Sequence, residues 1–105
     1  MHISPAELKK WKEEGFPHML VDIRESYEIE QCNIGGVPMP MENILTQCQE
    51  FPTDRSIVLH CNSGKRSDAA TYAIRQHTKR QDVFSLEGGI QHYAMQYEPE
   101  MTCAS

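Results

Sequence analysis

This sequence has no long apolar run, no closely paired cysteines and no surplus of positive charge. Nothing in its 105 residues approaches the roughly 20 consecutive apolar positions a membrane helix needs, so no span is expected. The start, Met1-His2-Ile3-Ser4-Pro5, lacks the basic residues and apolar stretch of a secretory signal. A cytosolic chain is therefore expected, and a trimmed mature chain would look the same. The formal net charge of −5 argues against general nucleic-acid binding, because neutralising phosphates takes an excess of Lys and Arg. No C-x-x-C pair exists, which removes zinc-ribbon spacing. The histidines at 2, 18, 60, 77 and 92 show no ligand spacing. Gly88-Gly89 lacks the G-x-G-x-x-G pattern of a dinucleotide turn. No metal, nucleotide or flavin cofactor is expected. Repeats and low-complexity tracts are also missing, so one domain is expected over residues 1–105, with a loose tail over 98–105.

What the chain does have is concentrated in Ile57-Val58-Leu59-His60-Cys61-Asn62-Ser63-Gly64-Lys65-Arg66-Ser67-Asp68. An apolar run ends in a cysteine, a short polar loop with a glycine and two cations follows, and a helix begins. A helix N-terminus presents unpaired N–H groups and the positive end of the helix dipole. Cysteines in such surroundings react as thiolates. The loop reads as an anion cradle around a nucleophile, with Lys65 and Arg66 standing against the acidic background. The competing reading of Cys61 is a buried, inert cysteine at a strand end. For Lys65 and Arg66 it is ordinary surface charge.

Elsewhere the pattern alternates strands with helices. Ser4, Pro5 and Glu7 form a capping-box start, with Leu8 and Trp11 on one face and a stop at Gly15-Phe16-Pro17. Residues 19–23 read as a buried strand, and 26–31 as a short helix capped by Ser26. Val37-Pro38-Met39-Pro40 is at best a short edge strand. Residues 42–51 read as a helix with Ile44, Leu45, Cys48 and Phe51 on one side. Residues 56–60 form a second strand. The strongest helix covers 67–79, with Ala70, Ala73, Ile74 and His77 in register. Residues 82–85 are a third strand, and Gly88-Gly89 opens a last helix carrying Ile90, Tyr93, Ala94 and Tyr97. The order implies an α/β fold, a central mainly parallel sheet with helices on both faces. Ligands of such sheets sit beyond the C-terminal strand ends, where Asp22, Cys61 and Leu86-Glu87-Gly88 fall.

Four blocks in this order resemble the rhodanese family. They are Leu20-Val21-Asp22-Ile23-Arg24-Glu25 for the D-V-R-E strand, Ile34-Gly35-Gly36-Val37 for the H-I-P-G-A loop, Val58 to Ser67 for the C-x-x-G-x-R-S loop, and Phe84 to Ile90 for the L-x-G-G turn. The resemblance covers residues 4 to 97 and implies a rhodanese-like fold and sulfur transfer. It places the nucleophile at Cys61, whose thiolate would take sulfur from thiosulfate or a persulfide and hold it as Cys61–S–S⁻. A thiol, a protein or cyanide would then remove it. Backbone N–H groups of Asn62, Ser63, Gly64, Lys65, Arg66 and Ser67 would surround the anionic sulfur, and Lys65 and Arg66 would bind an anionic donor.

Asp22 and Arg24 are expected in support: Asp22 as a loop-orienting carboxylate, Arg24 in an ion pair with Glu25, Glu28 or a site carboxylate. His60 neighbours Cys61 on a strand and so faces the other way. It is read as core or as support from behind. Cys32 lies in the loop expected at the site's mouth, where it is either a resolving thiol or a partly buried one. Cys48 is read as core and Cys103 as incidental. Asn33, Gly35 and Tyr93 depart from the family's usual His, Pro and Trp, which leaves the pocket mouth and donor preference open.

Two other functions compete. His60-Cys61 followed by Arg66 looks like a phosphatase or arsenate-reductase loop, but one residue short. A persulfide carrier serving one partner protein would share the chemistry of Cys61 and differ only in donor and acceptor. A non-enzymatic interaction module is disfavoured by the presence of Cys61.

Overall fold

Five parallel strands form one sheet, in the order β1-β5-β4-β2-β3. The computed structural model describes residues 1–101; Cys103 and the end of the expected tail lie outside them. In chain order the elements are β1 (His2–Ile3), α1 (Pro5–Glu14), β2 (His18–Asp22), α2 (Ser26–Gln31), β3 (Val37–Pro38), α3 (Ile44–Gln47), β4 (Ser56–His60), α4 (Lys65–Thr78), β5 (Val83–Leu86) and α5 (Gly89–Tyr97). Every pairing is parallel, with Met19 opposite Ile57, Leu59 opposite Ser85 and Val21 opposite Val37. Proline in β3 is tolerated because β3 is an edge.

The side-chain alternation of β4 divides the core. Ile57, Leu59 and Cys61 join the cluster that includes Ile44 from α3, Phe51 from the segment that follows it, and Ala70 and Ile74 from α4. Val58 joins the opposite cluster with Leu8, Leu86 and Tyr93. Both faces of the sheet are thus covered, which is why β2 and β4 read as continuous apolar runs. Among the described residues, no helix is long and apolar enough to cross a membrane.

Several expectations change in detail. The helix expected over 42–51 is three short pieces: a 3₁₀ turn at Met41–Asn43, then α3, then a 3₁₀ turn at Cys48–Glu50. Three-residue bonds close its two ends, Asn43 N–H to Pro40 O and Phe51 N–H to Cys48 O. Ile44, Cys48 and Phe51 are buried there as expected, but Leu45 is 45% exposed, since it sits a helical step of about 100° from Ile44. Helix α2 is capped by Glu25, whose N–H donates to Glu28 Oε1 at 3.0 Å; Ser26 is already inside the helix. Helix α4 starts two residues earlier than expected, and His77 is exposed, meeting Gln49. Strand β5 runs one residue later. Strand β1 was not anticipated, because two residues carry no periodicity. The capping box of α1 and the left-handed stop at Gly15 form as expected. Beyond α5, residues 98–101 turn, with Glu98 N–H bonded to Ala94 O and Met101 N–H to Glu98 O.

Candidate active site

Cys61 lies just past the end of β4, and the chain turns there through Asn62, Ser63 and Gly64 into α4. Gly64 adopts φ 104°, a left-handed conformation that glycine takes without strain. This folds the loop so that its N–H groups point inward. Gly64 N–H donates to Cys61 Sγ at 3.1 Å and Ser67 N–H at 3.3 Å. These are orphan donors of the α4 N-terminus and its cap. The sulfur is buried, with Cys61 1% exposed. Of the six N–H groups expected around the sulfur, those of Gly64 and Ser67 donate to it, with Asn62 half-buried and Ser63 and Lys65 exposed around the loop.

The Gly88-Gly89 turn braces the loop from the other side. Ile90 N–H donates to Cys61 O at 2.9 Å and Gln91 N–H to Asn62 O at 3.2 Å, so the first turn of α5 satisfies the carbonyls that the loop exposes. Both glycines have positive φ, and a Cβ on Gly89 would lie 2.6 Å from Cys61 O. Only glycine lets α5 approach so closely.

Behind the loop sits a buried charged cluster. Arg24 is 2% exposed and Asp22 fully buried. Arg24 Nε donates to Asp22 Oδ1 at 2.9 Å and Nη2 to Oδ2 at 2.7 Å. Arg24 also donates to Cys32 O at 2.7 Å and Glu28 O at 3.3 Å, tying the 24–32 segment to the end of β2. The carboxylate partner of Arg24 is therefore Asp22. His60, opposite Asp22 in the sheet register, points to the same face as Asp22 and away from Cys61. Its Nε2 lies 3.5 Å from Asp22 Oδ2. Burial pushes the His60 imidazole down to about 4, with the nearby Asp22 carboxylate opposing that shift. Cys32 is buried in this cluster, its sulfur 3.6 Å from Arg24 Nη1.

At the mouth, Arg66 does not stand free. Its Nη1 and Nη2 each donate to a Glu28 carboxylate oxygen at 2.8 Å. That bidentate bond holds Glu28 well below the usual carboxylate range, at about 2, and raises Arg66 in turn. The Glu28 carboxylate, one of the sequence's candidates for pairing with Arg24, serves Arg66 instead. The sequence pattern assigns no role in the site to Ser85 or Asp68. Ser85 Oγ lies 2.7 Å from Ser67 Oγ and donates to Asp68 Oδ1 at 2.6 Å. A serine inside the otherwise apolar β5 was the available signal.

The family model described as "Rhodanese-like domain" matches residues 4–96. A relative from Mycobacterium tuberculosis, named "Probable adenylyltransferase/sulfurtransferase MoeZ", is 33% identical over 102 residues; the match takes 94% of this chain and 26% of that protein. The chain thus spans about a quarter of that relative's length. A protein named "Sulfurtransferase" from Allochromatium vinosum is 42% identical over 74 residues, covering 69% of this chain and 67% of its own. Among solved structures, a rhodanese-related protein from Thermoplasma volcanium superposes with a TM-score of 0.77 at 23% identity, covering 91% of this chain and 92% of that one. This last likeness is one of fold.

Proposed function

On the premise that this chain belongs to the rhodanese-like domain family, we propose that it is a sulfurtransferase carrying sulfane sulfur as a persulfide on Cys61. The observation that supports this most is the pair of N–H donors, from Gly64 and Ser67, converging on Cys61 Sγ. Two N–H donors aimed at one sulfur suit a group that carries negative charge during the reaction. The thiolate attacks the outer sulfur of a donor such as thiosulfate. A bond forms between Cys61 Sγ and that sulfur while the donor's S–S bond breaks, and sulfite leaves with the bonding pair. An acceptor, cyanide or a thiolate, then attacks the terminal sulfur, and Cys61 departs as the thiolate it began as. The same preorganised donors serve both half-reactions, because negative charge sits near the loop throughout.

A persulfide carrier fed by a partner protein is the second reading, and one observation favours it. Arg66 is already paired with Glu28, so the loop offers a small anionic donor less positive charge than its sequence suggests. Intact-protein mass spectrometry separates the readings. Wild-type protein treated with thiosulfate is expected to gain one sulfur atom, lose it to cyanide, and show neither change as Cys61→Ser. Gain only from a persulfide donor would select the carrier. No gain from any donor, or gain that survives Cys61→Ser, would overturn the persulfide.

A further inference from the structure

Cys61 is 1% exposed, so a proton on its sulfur has no direct path to water. A path exists through side chains. Cys61 Sγ lies 3.6 Å from Ser67 Oγ as donor, Ser67 Oγ lies 2.7 Å from Ser85 Oγ, Ser85 Oγ donates to Asp68 Oδ1 at 2.6 Å, and His2 Nε2 lies 3.1 Å from the same oxygen. Ser67 and Ser85 are fully buried, whereas the side chains of His2 and Asp68 are 45% and 47% exposed. The chain therefore runs from the buried sulfur to the surface.

Its polarity is fixed by elementary rules. A carboxylate only accepts, so the single hydroxyl proton of Ser85 goes to Asp68. Ser67 Oγ also lies 3.2 Å from Gly64 O, which only accepts, so Ser67 has its proton for either Gly64 O or the shorter 2.7 Å contact with Ser85, and in both cases a lone pair of Ser67 faces the Cys61 S–H. We infer that Ser67, Ser85 and Asp68 relay the Cys61 proton to His2 and solvent, making Ser85, Asp68 and His2 positioning residues for the nucleophile. The Cys61 proton passes to Ser67, the Ser67 proton to Ser85, and the Ser85 proton to Asp68. Every bond in the row reverses together, and no electron is gained or lost. Afterwards Ser67 donates to the new thiolate, adding a third hydrogen bond to those from Gly64 and Ser67 N–H. Asp68 gives its proton to His2 or to water. The charged group that meets Asp68 at this outlet is His2 from β1; on α4 itself Lys65 lies one helical turn before Asp68, while Arg66 is paired with Glu28 of α2.

The inference needs Cys61 to be the reactive thiol but not the transfer of sulfur, so its test avoids sulfur. The rate of Cys61 alkylation by iodoacetamide, read by peptide mapping, is measured from pH 6 to pH 9 for wild type, Ser85→Ala, Asp68→Asn, the double variant and His2→Gln. At iodoacetamide concentrations where the rate saturates, so that loss of the Cys61 proton limits it, each of the first two single variants is expected to be about tenfold slower near neutrality, with recovery as hydroxide rises. The double variant should be no slower than either single one, since one broken link disables the row. His2→Gln should have a smaller effect, because water can replace it. Wild-type rates in Asp68→Asn, or losses that multiply in the double variant, would overturn the relay. Asp68 is half exposed and Asn matches its shape, so that variant decides the question even if Ser85→Ala fails to fold.

Discussion

Arg24 and Arg66 make the same chemical contact in two different solvents. Each grips a carboxylate with two nitrogen–oxygen bonds, Arg24 on Asp22 and Arg66 on Glu28. The Arg24 pair is 2% and 0% exposed, the Arg66 pair 38% and 17%. Burial changes what the contact does. In the interior, neither ion can recover hydration if the other is lost, so the pair acts as a fixed clamp on the backbone that leads into α2. At the mouth, water competes for both partners, and an incoming anion can compete as well. One pair is fixed in the scaffold, and on the proposed function the other is placed to meet the sulfur donor.

The largest expected effect tests the scaffold side. Arg24→Met leaves the Asp22 carboxylate buried without its bidentate partner and strips donors from the Cys32 and Glu28 carbonyls. It should cost about 3–5 kcal/mol in urea unfolding. The matching Arg66→Met should cost less than about 1 kcal/mol, because its partners remain solvated. Equal losses would erase the contrast.

Acid separates the two regions on another axis. The His60 imidazole, held at about 4 in the fold, titrates near its ordinary 6.5 once unfolded. As pH falls below 6.5 the unfolded chain binds the proton first, so stability drops until pH reaches about 4, and this contribution then levels off. Glu28 stands at about 2 in the fold against an ordinary 4.5. Its contribution is complete above 4.5 and disappears as pH falls toward 2. The buried cluster therefore weakens first and the mouth pair second. Glu28→Gln should flatten only the lower window of a pH series of urea midpoints, and by less than about 1 kcal/mol, given the exposure of Arg66. Flattening between pH 6.5 and pH 4 instead would show the two clusters to be coupled.

The contrast also marks what the sequence could disclose. Local features were legible. The capping box at Ser4, the glycine before α4, the paired glycines before α5 and the cysteine at a strand end each work within a few residues, so the one-dimensional pattern holds them. The alternation of β2 and β4 even placed His60 away from Cys61. Partner choice was not legible. Glu28 lies four residues from Arg24 but spends its carboxylate on Arg66, 38 positions further along. Ser67 and Asp68 meet Ser85 because α4 packs on β5, and His2 joins them because β1, a strand too short to show a pattern, pairs with β5. The broken segment around α3 failed for a related reason. Its apolar spacing is helical, but three-residue hydrogen bonds at its ends decide its form, and spacing does not encode them.

Lys65 gives the smallest and most discriminating effect. It is exposed at the first position of α4, with nothing in the loop burying its charge. If the mouth recruits an anionic sulfur donor, Lys65 acts from a distance, through a field that solvent ions screen over about 10 Å at 0.1 M salt and about 3 Å at 1 M. Lys65→Gln should then raise KM for thiosulfate by only about twofold at low salt, leave kcat unchanged, and become indistinguishable from wild type near 1 M. A change in kcat would mean instead that Lys65 contacts the reacting sulfur. A salt-independent rise in KM would mean a direct, desolvated contact with the donor. In either case the mouth would behave like the buried side of the comparison, with its charges fixed and excluded from water, and the division between scaffold and ligand-facing pairs would have to be redrawn around α4.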